Sequence, residues 1–156
     1  GQGFTIAMAS LDKGRLSCAG GCVGIMQGCL ETAREYAVQR HQFGRPLASF
    51  QLVQDMIADI SVDADAARML TWRTADLLER GEDFGVAASK AKLFASEAAV
   101  RAANLAVQVL GGYGYVDDYP AQKYLRDARV MTLYEGTSQI QKLLIGRAET
   151  GVSAFL

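Results

Sequence analysis

Proline is nearly absent: Pro46 and Pro120 are the only two in 156 residues. Proline breaks helix interiors, so most of the chain is open to long helices. Histidine is scarcer still, with His41 alone. That removes an imidazole-based metal centre and a di-iron bundle, which needs paired Glu-x-x-His motifs; no metal is expected. The three cysteines, Cys18, Cys22 and Cys29, are odd in number and recur at helical spacing. Neighbours on one helix are poorly placed for a disulfide. They read as small buried apolar side chains, in a reducing compartment. Charge of one sign is also missing: 16 Lys and Arg face 17 Asp and Glu, for a net charge of -1. Without a basic patch, neither nucleic acid nor an anionic membrane surface is expected as a partner. No uninterrupted run of eighteen apolar residues occurs, so no bilayer span is expected.

The N-terminal segment lacks the basic and apolar regions of a signal peptide and does not begin with Met. Gly3-Phe4-Thr5-Ile6-Ala7-Met8 reads as the end of an extended segment entering a helix, and the chain is expected to be a fragment. The composition, 50% apolar and 21% charged, suits one water-soluble domain with a substantial core.

Apolar spacing then predicts helices. Val23, Met26, Leu30, Ala33 and Ala37 recur at three- and four-residue steps within a helix from about Arg15 to Arg40, which Gly44-Arg45-Pro46 breaks. Ser49 is placed to N-cap a second helix, whose stripe runs Leu52, Met56, Ile60, Ala64, Ala67, Leu70, Thr74 and Leu77. Asp65/Arg68 and Asp76/Arg80 stand at helical pair spacing on its other faces. A third helix starts near Asp83 and is lined by alanines, from Ala87 and Ala91 to Ala98 and Ala102. Small residues there allow close helix approach. It stops at Gly111-Gly112-Tyr113-Gly114. Shorter helices are predicted over Ala121–Asp127 and Thr137–Glu149, and no strand pattern appears after Met8. The expected fold is all-α: an up-and-down four-helix bundle with additional short helices.

Three segments exceed what helix packing needs. Arg40-His41-Gln42-Phe43-Gly44, followed by Phe50-Gln51, collects a cation, amides and aromatics, although Arg40 also suits a helix C-terminus through the dipole alone. Gln108-Val109-Leu110-Gly111-Gly112-Tyr113-Gly114-Tyr115 lets a phosphate-bearing ligand approach backbone, or simply ends a helix. It is not a GxGxxG fingerprint after a strand. In Tyr134-Glu135-Gly136-Thr137-Ser138-Gln139-Ile140-Gln141, Glu135 precedes a helix start. It is either a dipole partner or a general base facing a cleft, with Thr137, Ser138 and Gln139 offering free amides and donors to an anionic ligand.

In this order and spacing the three segments resemble the acyl-CoA dehydrogenase family, a similarity running to Leu143-Leu144-Ile145-Gly146-Arg147. Family enzymes join an N-terminal helical domain, a middle β domain and a C-terminal helical bundle. The resemblance implies that residues 1–156 are that bundle, one domain making up well under half of an enzyme, with residues 1–10 the tail of the missing β domain. It implies α,β-dehydrogenation of acyl-CoA thioesters to trans-2-enoyl-CoA with FAD, and Glu135 as the base. In members that carry the base on the first helix instead, the matching position here is Gly14, which has no side chain to serve. Arg40, Gln42, Phe43 and Gln51 are implied FAD contacts, mostly to a neighbouring subunit's cofactor; family members often have Thr where this chain has Gln42. Gln108, Gly111 and Gly112 are implied at the pyrophosphate, Thr137 and Gln139 at the adenylate, and Asp12, Arg15 and Gly136 near acyl-CoA. Further implications are a homotetramer built as a dimer of dimers, electron-transfer flavoprotein as acceptor, and a bacterial cytoplasm or mitochondrial matrix. The fragment alone is expected to be inactive. Two alternatives stay open: a non-catalytic oligomerisation or binding bundle, and an acyl-CoA or nitroalkane oxidase on the same scaffold.

Overall fold

A computed structural model describes residues 1–155. Five helices carry the chain: α1 (Gly3–Gln39), α2 (Gln51–Glu79), α3 (Gly85–Leu110), α4 (Ala121–Met131) and α5 (Ser138–Thr150). Helix α3 is the centre, packing against α1, α2, α4 and α5. Ala91, Ala95, Ala98, Ala99, Ala102 and Ala103 are fully buried along it. Methyl groups leave little between helix backbones, so α1 and α2 lie close against α3. The opposing α1 stripe is Cys18, Cys22, Met26, Cys29, Ala33 and Ala37, all buried, with the cysteines free. Helix α3 is also long and apolar enough to cross a membrane by length and composition; here its apolar surface forms the bundle core.

Several expectations need correction. Helix α1 begins at Gly3 rather than near Arg15, so residues 3–10 are helical and not extended. They are exposed, and among the described residues no strand lies alongside to pair with them. Their backbone groups therefore bond within the helix, as Ile6 N–H does to the Gln2 carbonyl. The turn after α1 holds a two-residue antiparallel ladder absent from the sequence pattern, β1 (His41–Gln42) with β2 (Arg45–Pro46). Ser49 does not cap α2: Phe50 is the cap residue, and the Ser49 hydroxyl donates to the Pro46 carbonyl. Leu52 faces out, 78% exposed, while Ile60, Ala64, Ala67 and Thr74 of the same stripe are buried. Helix α3 starts at Gly85, because Asp83 accepts from the Gly85 N–H instead of entering the helix. The Asp65–Arg68 and Asp76–Arg80 pairs both form. The second is exposed and the first has Arg68 half-buried, and each contributes under about 1 kcal/mol.

Burial pushes the Cys29 thiol from 9.0 up to about 12. The folded state thus keeps the thiol neutral while the unfolded chain ionises it, so stability is intact below pH 9 and declines as pH rises toward 12. Cys29→Ala is expected to remove that share of the alkaline loss, about 2 kcal/mol near pH 10.5. Urea unfolding at pH 7 and pH 10.5 measures it; an unchanged difference between the two pH values would refute the assignment.

Candidate active site

The connection between α4 and α5 is short and tightly tied. Ser138 N–H donates to the Thr132 carbonyl at 3.1 Å, closing the loop at its base. Thr137 N-caps α5 by accepting from the Ile140 N–H at 3.4 Å, a contribution of about 1 kcal/mol. Between these ties the backbone turns left-handed twice, at Glu135 (φ 54°) and Gly136 (φ 86°). Glycine takes that conformation freely. For a glutamate it costs on the order of 1–3 kcal/mol and needs support from its surroundings. A side chain at Gly136 is doubly excluded, since its β-carbon would lie 2.5 Å from Gln141 Nε2.

That support comes from two fully buried side chains. Lys92 Nζ donates to the Gly136 carbonyl at 2.8 Å. Gln141 Nε2 donates to the carbonyls of both Glu135 and Gly136 at 3.1 Å. Burial pulls the Lys92 pKa below the usual lysine range, against the opposing influence of Cys18, Cys22 and Glu97. Ser138 Oγ donates to Glu97 at 2.5 Å.

The loop directs the half-buried Glu135 side chain onto α1 at Gly14. A β-carbon built on Gly14 would lie 2.6 Å from the carboxyl carbon, so the missing side chain is the seat of the carboxylate. The ion pairs among the described residues leave Glu135 out. Its N–H, among the described residues, has no backbone acceptor. Arg15, next along α1, is buried and paired with Asp12 at 2.6 Å, and its Nε has no partner among the described residues. Asp12 and Arg15 line a groove of about 470 Å³ that also receives Met8, Ser89, Leu144 and Arg147.

A second cleft, about 630 Å³, opens at the far end of α3. Arg40 and Gln42 line it from the end of α1 and the ladder; Gln108, Gly111 and Gly112 line it from the end of α3. Gly111 has φ 61°, and no atom comes within 4 Å of where a side chain on Gly111 or Gly112 would begin. Bare backbone is therefore open to a ligand. The Arg40 guanidinium stands 5.9 Å from the Tyr113 ring centroid, a cation–π distance.

The expected site residues thus fall into groups. Glu135 and Gly136 meet α1 beside Asp12 and Arg15, whereas Arg40, Gln42, Gln108, Gly111 and Gly112 share the distant cleft. Phe43 is 90% exposed and packs edge-on against Phe50; Gln51 is exposed at the start of α2. Gln139 lines a small hollow with Glu97 and Arg129. The expectation of free donors at Ser138 is corrected: its amide and hydroxyl are both used inside the protein, because the loop must be closed there.

Comparison with known proteins decides the lineage. Residues 1–150 match the family described as acyl-CoA dehydrogenase, C-terminal domain. The chain belongs to the acyl-CoA dehydrogenase family. An acyl-CoA dehydrogenase of Bacillus subtilis is 52% identical over 94% of this chain and 39% of its own length. The mitochondrial short-chain specific acyl-CoA dehydrogenase of Rattus norvegicus is 48% identical over 93% of this chain and 35% of its own. The structure of butyryl-CoA dehydrogenase from Megasphaera elsdenii superposes with a TM-score of 0.94 at 42% identity, over 96% of this chain and 39% of that one. The chain therefore spans less than two fifths of the length of these acyl-CoA dehydrogenases, and its all-α bundle is their C-terminal domain.

Sequence reasoning missed Lys92 and Gln141 as site residues. Lys92 sits in an alanine-rich face where a lone cation is out of pattern, which is the signal that could have found it. Gly14→Ala is expected to favour helix α1 by roughly 0.5–1 kcal/mol through propensity, yet to drive the Glu135 carboxylate off its seat. A crystal structure of the variant tests this; an unmoved carboxylate would contradict the steric reading.

Proposed function

We propose that this chain is the base-bearing domain of an FAD-dependent acyl-CoA dehydrogenase, with Glu135 removing the α-proton of an acyl-CoA thioester on the way to the trans-2-enoyl product. The observation that carries the proposal is the Glu135 carboxylate, half-buried on Gly14 and outside the ion pairs among the described residues. A base needs an uncommitted lone pair, and this carboxylate, outside every ion pair among the described residues, offers one. The Glu135 N–H, without a backbone acceptor, is the donor suited to the thioester carbonyl as negative charge builds on its oxygen. Arg15 and Arg147 line the groove together with Asp12 and Asp83, and their guanidinium groups suit the anionic part of coenzyme A.

Bound FAD supplies the acceptor for the β-hydrogen, which leaves as hydride. The residues of the distant cleft fit part of such a dinucleotide: Arg40 for a diphosphate by bidentate pairing, and Gln108 with the open backbone at Gly111 and Gly112 for its close approach. The cleft and Glu135 are served by opposite ends of α3, with roughly 24 Å of helix between Lys92 and Gln108 at about 1.5 Å per residue. That separation favours a cleft that holds the cofactor of a neighbouring subunit, in a homotetramer arranged as a dimer of dimers. Phe43 and Gln51, both exposed, are assigned the same role, and Thr137 and Gln139 the adenylate end. Electron-transfer flavoprotein is the proposed electron acceptor, in a bacterial cytoplasm or a mitochondrial matrix.

In the enzyme that carries this domain, Glu135→Gln is expected to lower turnover by about 10²–10⁴-fold or more with FAD still bound, followed by anaerobic flavin bleaching with acyl-CoA. Undiminished bleaching would reject Glu135 as the base and favour a non-catalytic bundle. The 156 residues alone are expected to fold, giving a helical circular dichroism spectrum, and to leave an electron acceptor unreduced when supplied with FAD and acyl-CoA. Dehydrogenation by the isolated chain would refute the expectation that the remaining domains of the enzyme are required.

A further inference from the structure

We infer that Lys92 and Gln141 are positioning residues that hold the Glu135 loop in its reactive conformation. The inference deepens the proposed function and rests on Glu135 being the base. Lys92 lies within the alanine core of α3, fully buried, and Gln141 is equally buried one turn into α5. Burying a cation is costly unless it is well bonded, and Lys92 takes part in none of the ion pairs among the described residues. Glu97, the acid on its own helix, is instead engaged by Ser138. The ammonium is spent on one backbone carbonyl, that of Gly136.

Gln141 meets the same carbonyl and the preceding one through a single nitrogen, while its Oε1 has no partner among the described residues. A buried amide with half its capacity unused is a poor choice for core packing, but it suits holding two successive carbonyls. Together the side chains restrain the peptide groups on both sides of Gly136, just where the backbone takes two successive left-handed conformations. With the carbonyls turned into the core, the Glu135 carboxylate lies against Gly14. Without these donors the glutamate is free to relax to an ordinary φ, which carries its carboxylate away from the seat. A charge-assisted bond is roughly twice as strong as a neutral one, so Lys92 is expected to matter more than Gln141.

The test uses the flavin-loaded enzyme with Lys92→Met and Gln141→Leu, and Ser96→Ala as a packing control. Ser96 is fully buried on the same helix and bonds only within it, to the Leu93 carbonyl. Expected is a fall in kcat of tenfold or more for Lys92→Met and a smaller fall for Gln141→Leu. KM should stay within about twofold, FAD content at the parental level, and the kinetic isotope effect from α-deuterated acyl-CoA should rise as proton removal becomes slower. Ser96→Ala should leave kcat and the isotope effect unchanged. Parental kcat and isotope effect in both Lys92→Met and Gln141→Leu overturn the inference. So does loss of FAD and fold in both, which reduces the pair to core packing. If only one variant loads flavin, its isotope effect decides. Glu135→Gln separates the two levels: if it retains full α-proton removal, the base assignment fails and the positioning role with it; if it abolishes removal, only the positioning claim is at stake.

Discussion

Helix α3 presents methyl groups where most core helices present branched side chains, and that thinness governs the rest of the molecule. It lets α1, α2, α4 and α5 all pack against it, with the cysteines and Met26 of α1 buried in the same core. A core made of small side chains gains less from each residue than a leucine core does. It compensates by bringing four helices into contact with a single surface. Lys92 belongs to that surface, and so the centre of the bundle reaches directly to the loop that carries Glu135.

At that loop the strained residue is also the one proposed as the base. Glu135 holds a left-handed backbone that a β-carbon disfavours, and its carboxylate rests where α1 omits a side chain. Neither feature is stable by itself. The first is upheld by donors from α3 and α5 on the loop carbonyls, the second by the closeness of α1.

The two ends of α3 do different work. One end supports the carboxylate and the Asp12–Arg15 groove, and the other opens into the cleft between the end of α1 and the Gly111–Gly114 turn. A rigid helix fixes the span between them, so whatever occupies the cleft is held at a set distance from the Glu135 carboxylate.

Helical periodicity in the sequence was enough to determine the five helices, the buried stripes of α1 and α3 and the surface ion pairs of α2, because these depend on contacts three and four residues apart. The three motifs were likewise enough to identify Glu135 and the cleft residues as exceptional. Periodicity misplaced Leu52, which points outward while its neighbour Val53 packs on the core, and read residues 3–8 as extended, where the helix continues through exposed residues. It also gave no place to Lys92, Gln141 or the vacancy at Gly14. Those are meetings of α1, α3 and α5 with one loop, separated by 44 residues in the case of Lys92 and Gly136. Only close packing brings such groups within bonding distance, so only the tertiary structure decides which buried polar atoms face one another.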